Sequence, residues 1–148
     1  MRYERYHITF RCNIKQLETD LPPGLDIARK IHNGFLQRGI HVSELEVWRD
    51  SAWSWECFPE EKRTNQVDIV LSAFEPNMWL IACNRARHFF SFFIRRSKSV
   101  HFLAVTEVLI LILAEEPFSE VKWYFKQPAF AKNALGVEVT SIEDIEIV

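Results

Sequence analysis

The stretch Val67–Arg85, VDIVLSAFEPNMWLIACNR, decides the fold. Two apolar runs, VDIVLSAF and MWLIACNR, flank Glu75-Pro76-Asn77. Proline presets φ and asparagine tolerates the left-handed region, so these three residues predict a turn. Strands joined by so short a turn pair antiparallel, because a parallel crossover needs a dozen or more residues. Near-continuous apolar runs predict a central place in the sheet, covered on both faces.

Working upstream, AWSWECF (Ala52–Phe58) alternates. Trp53, Trp55 and Cys57 share one face; Ser54, Glu56 and Phe58 share the other. The charged loop PEEKRTNQ (59–66) joins it to Val67. IHVSELEVW (Ile40–Trp48) reads as one more strand, with Val42 and Val47 inward and Asp50-Ser51 as the turn. Tyr3–Cys12 is a half-buried strand: Tyr6, Ile8, Phe10 and Cys12 on one face, Arg5, His7, Thr9 and Arg11 on the other. Between these strands, after the break Leu21-Pro22-Pro23-Gly24, Leu25, Ala28, Ile31, Phe35 and Leu36 sit at helical spacing. Asp26 in the first turn and Arg38 in the last suit the helix dipole, and Gly39 suits the position just past the end. Gly34 within the helix is unfavourable by about 1 kcal/mol against alanine, which points to close packing there.

Downstream, Ser99 caps a helix over Val100–Glu116, and Pro117 stops it. VKWYFKQ (121–127) reads as a last short strand. Residues 137–148 carry four acids and no base, as either an edge strand or an acidic tail that orders on a partner. The whole predicts an α+β single domain over 1–148: an antiparallel sheet of five to six strands with two main helices packed on one face.

Composition narrows the function. The chain has 148 residues, 48% hydrophobic and 26% charged, with a net charge of −2, which fits a globular domain and gives no support to a general nucleic-acid binder. The longest apolar run, VLILILA (108–114), is too short to span a bilayer. The polar, alternating RYERYHITF after Met1 has no signal-peptide core, so a cytoplasmic protein is expected. Cys12, Cys57 and Cys83 are far apart and read as free thiols in a reducing cytosol. The four glycines form no phosphate-binding loop, and His7, His32, His41, His88 and His101 show no HxxxH or HExxH spacing. No cofactor and no metal is expected.

Three constellations remain. Trp53 and Trp55 either pack beneath a helix or form an aromatic platform; Cys57 on the same face favours packing. Trp48, beside the Arg49-Asp50 turn, is the tryptophan expected to be partly exposed. Around it lie Glu44, Glu46, Asp50, Glu56, Glu60 and Glu61, against a single Arg49. They read as a solvated face or as an acidic surface that steers a basic partner, with Trp48 as anchor. The stretch NRARHFFSFFIRRSK carries Arg85, Arg87, Arg95, Arg96 and Lys98 among phenylalanines. It reads as core aromatics with outward bases, or as an alternative single-strand nucleic-acid patch. Apolar all round, the helix 100–116 is either unusually covered or the seat of a homodimer.

The apolar helix, a proline-centred turn and VKWYFKQPAF follow an early strand, the helix LDIARKIHNGFLQRGI and the Trp-rich AWSWECF. This layout resembles that of small uncharacterised bacterial proteins, and it is similar to immunity proteins of bacterial toxin systems. The resemblance covers most of the chain as layout and assigns no residue. It implies a non-catalytic cytoplasmic module that binds and inhibits a cognate toxin. The competing expectation is a small enzyme or ligand-binding domain with a pocket between sheet and helices.

Overall fold

The computed structural model describes residues 5–14, 22–58, 66–85, 100–125 and 128–146. Its centre is the hairpin expected from the sequence. β5 (Val67–Glu75) and β6 (Met78–Arg85) pair antiparallel around a turn in which Asn77 takes a φ of 65°. β4 (Ala52–Phe58) lies beside β5, and β1 (Arg5–Cys12) lies beside β6. β7 (Phe118–Tyr124) closes the far side against β1. On the near side β2 (His41–Val42) and β3 (Glu46–Trp48) both pair with β4. The result is a seven-stranded antiparallel sheet of α+β class.

The single strand expected over Ile40–Trp48 is therefore two. The register slips by one residue between Val42 and Glu46. At the slip the Ser43 hydroxyl accepts the Glu56 N–H at 2.8 Å, in place of a backbone carbonyl. A side-chain oxygen entering the ladder accommodates the extra residue as a bulge does.

The register also defines the core. Trp55, Ile69, Cys83 and Tyr6 lie opposite one another across four strands. Residues directly opposite share a face. α1 (Leu25–Gln37) meets that row at Trp55, through Phe35 and His32. α2 (Val100–Leu113) meets it at Tyr6, through Phe102 at 5.1 Å. Both helices thus touch the same face of the sheet. Where they cross, a Cβ on Gly34 would fall 2.9 Å from Ile112, so the glycine does mark close packing. α2 ends at Leu113 rather than Glu116, because Ala114–Pro117 turn tightly into β7: the Phe118 N–H reaches the Glu115 carbonyl at 3.1 Å.

The helix α2 is largely covered within the chain. Phe102, Val105, Leu109, Ile110, Ile112 and Leu113 are buried, and Leu111 is 49% exposed. Part of this cover comes from the end of the chain. Val137 exchanges two backbone hydrogen bonds with Trp123, and α3 (Ile142–Glu146) brings Ile145, which is buried, to α2. The Asp144 carboxylate accepts the Thr140 and Ser141 N–H groups ahead of that short helix. The residues from 137 to 146 are thus a single bridge followed by a docked turn of helix. No helix of the described residues is long and apolar enough to cross a membrane.

Candidate functional site

The expected site residues fall mainly on the hairpin formed by β3 and β4. Cross-strand pairing places Glu46 opposite Ser54, Val47 opposite Trp53 and Trp48 opposite Ala52. Glu46 and Trp48 therefore point away from the helices, while Val47 points to the helix side. Followed across the sheet, Glu56 lies opposite Asp68, which lies opposite Asn84, which lies opposite Arg5. The second face of the sheet consequently carries Trp48, Glu46, Glu56 and Asp68 at the β3–β5 end. Its other end carries Arg5, Arg11 and Lys122.

Trp48 is 41% exposed, as its place beside the turn implied. The Arg49 guanidinium lies over its ring, 4.5 Å from the centroid. This places the Arg49 charge on an aromatic face rather than on a carboxylate. Glu44, Glu46 and Asp50 are exposed and Glu56 is half-buried; none makes an ion pair with a described residue. Glu60 and Glu61 lie outside the described residues. So do Arg87, Arg95, Arg96 and Lys98 of the basic stretch. Arg85, its remaining member, ends β6 opposite Val67, on the helix side.

The three tryptophans separate. Trp55 is 2% exposed and packs edge-on to Phe35. Trp53 shares its face but is only half-buried; its indole N–H donates to the Pro22 carbonyl at 3.0 Å. Val47, expected inward, does face the helix side. It stands at the sheet margin and is 47% exposed.

Two residues escaped the sequence reading. Asp68 is half-buried on the acidic face, where burial raises its pKa and a hydrogen bond from Gln66 at 3.1 Å opposes the rise. Its signal was the polar pair Asp68 and Ser72 at even spacing within VDIVLSAF, masked by Val70. His7 was expected on the solvated face of β1, yet it is buried. The segment that follows β7 covers it: the Ala129 N–H donates to His7 Nδ1 at 3.2 Å, and the Phe130 ring lies over the imidazole.

The thiols are poor nucleophiles. Burial raises Cys57 well above the ordinary thiol range and pushes Cys83 up to about 12, so both are protonated near neutrality. Among the described residues, no group of three His, Cys, Asp or Glu side chains is placed to grip a metal ion. No protein-family model matches the chain, and no curated protein matches it.

Proposed function

We propose that this chain is a non-catalytic protein-binding module that engages a basic partner through the acidic, aromatic-edged surface of the β3–β4 hairpin. In the cell it would serve as an immunity-type inhibitor, covering the basic cleft of a toxin that acts on nucleic acid. One observation carries the reading. The hairpin gathers Glu44, Glu46, Asp50 and the exposed Trp48 at one margin, while the neighbouring Arg49 is held over the tryptophan ring and none of these carboxylates makes an ion pair with a described residue. Carboxylates left without cations steer a basic surface toward them, and a tryptophan beside them supplies apolar contact area. Glu56 extends the same charge along the second face of the sheet.

The test is a purified complex with the protein that co-purifies from the native cell. Charge reversal at Asp50 and Glu56 is expected to weaken that complex by about tenfold or more, mainly through slower association at low salt. An affinity unchanged by both reversals removes this surface from the function.

A further inference from the structure

β3 is an outer strand whose described pairing is with β4 alone. All three of its residues are exposed, and two are large hydrophobics, Val47 at 47% and Trp48 at 41%. The Trp48 carbonyl accepts the Ser51 N–H at 3.2 Å, so its peptide groups point toward β4. Backbone groups alternate along an antiparallel strand. The N–H and C=O of Val47 therefore point outward, away from the sheet. An outward donor and acceptor on an exposed edge, beside the Val47 and Trp48 side chains, form a template for one more strand.

The charges on this edge choose what pairs there. A second copy of the chain, docked antiparallel about Val47, would set Glu46 against Trp48 and Glu44 against Asp50. Two carboxylates would then face each other at both ends, and like charges directly opposite destabilise a pair. The edge thus repels itself. An extended segment with lysine or arginine at alternate positions meets the opposite situation, finding Glu44, Glu46 and Asp50 along its length.

We infer that the module captures its partner by strand addition: an extended basic segment of another protein pairs with the outer edge of β3 at Val47. This rests on the functional reading above and adds the mode of recognition. Main-chain bonds at Val47 hold the segment, and the flanking acids select its charge.

Proline at an edge position whose N–H faces outward removes that donor and leaves the sheet's own ladder intact. Val47→Pro thus deletes the outward bond while keeping every carboxylate. Val47→Ala removes the same side chain but keeps the N–H. The probe is a synthetic peptide of alternating lysine and valine with blocked ends, titrated against the full chain and its variants. Circular dichroism and thermal melting confirm that each variant is folded. The expected result is that Val47→Pro weakens binding by about tenfold relative to Val47→Ala, since an orphaned acceptor remains in the complex. Glu46→Lys with Asp50→Lys is expected to weaken it as well. Equal binding by the proline and alanine variants, with loss in the lysine variant, overturns strand addition and leaves the acidic surface standing. Peptide binding untouched by the lysine substitutions overturns both, as does absence of binding by the unmodified chain.

Discussion

Gly24 stands at the entrance to α1 with a φ of 95°, and a Cβ there would lie 2.6 Å from the Trp79 ring. Two independent obstacles therefore meet at one position: left-handed backbone and a packed indole. Gly24→Ala is expected to destabilise the fold by about 2 kcal/mol or more, read as a lowered urea midpoint. His7 gives a second residue-level expectation. Burial, with Arg5 as a lesser influence, holds its pKa below the ordinary value of 6.5. The unfolded chain then takes up the proton before the folded one does, so the stability His7 confers is present above that value and is lost as pH falls below it. His101 is lowered by burial too and contributes in the same direction. Replacing His7 with Gln keeps an acceptor for the Ala129 N–H but cannot titrate. That variant should show a shallower loss of stability between neutral and acid pH than the natural chain. A slope identical in both would show that His7 is not a source of the pH dependence. The exposure of Trp48 was legible, because Arg49-Asp50 mark a turn next to it. The burial of His7 was not: nothing in RYHITFRC reveals that Ala129 and Phe130, far along the chain, fold over it.

At the scale of elements, the β3–β4 connection is the most demanding. Arg49 and Asp50 both hold positive φ, at 49° and 57°. Hairpin turns of this hand favour glycine and asparagine, and arginine is a poor occupant. Asp50→Gly is expected to stabilise the fold by about 0.5–1 kcal/mol, with the rise in thermal midpoint as the readout. The same change removes a carboxylate from the proposed binding edge, so stability and affinity should move in opposite directions. Periodicity made α1, β4, β5 and β6 readable, because each carries a clear period or a sharp turn signal. The split of β2 from β3 was hidden. It depends on the Ser43 hydroxyl entering the ladder opposite Glu56, which is a tertiary choice of hydrogen-bond partner. The apolarity of α2 was visible, but its cause was not. Ile145 and α1 supply the cover, and sequence spacing does not say which elements meet.

For the molecule as a whole, the buried row Trp55–Ile69–Cys83–Tyr6 joins four strands beneath both main helices. Cys57 and Cys83 sit in this core with thiols held protonated. Both should resist a water-soluble thiol reagent until the chain opens globally. Their labelling rate should then follow global unfolding as denaturant is added. Fast labelling of either in the native protein would show that this end of the sheet opens locally. The α+β class and the antiparallel sheet followed from strand-length runs and short turns. The order of the strands did not, because β1 inserts between β6 and β7 rather than beside its neighbours in sequence.

That insertion governs how the chain comes together in time. A ribosome delivers β1 long before either strand that flanks it. Meanwhile the apolar face of Tyr6, Ile8 and Phe10 has no core to enter, and neither edge of β1 has its partner strand. The β4–β5–β6 meander pairs strands that follow one another in sequence, and once formed its β6 edge can seat the waiting strand. β7 then locks it from the far side. Pairings of such long sequence separation are expected to form more slowly than those of the local meander. The nascent chain is most open to aggregation and to chaperones in the interval between the emergence of β1 and that of β7.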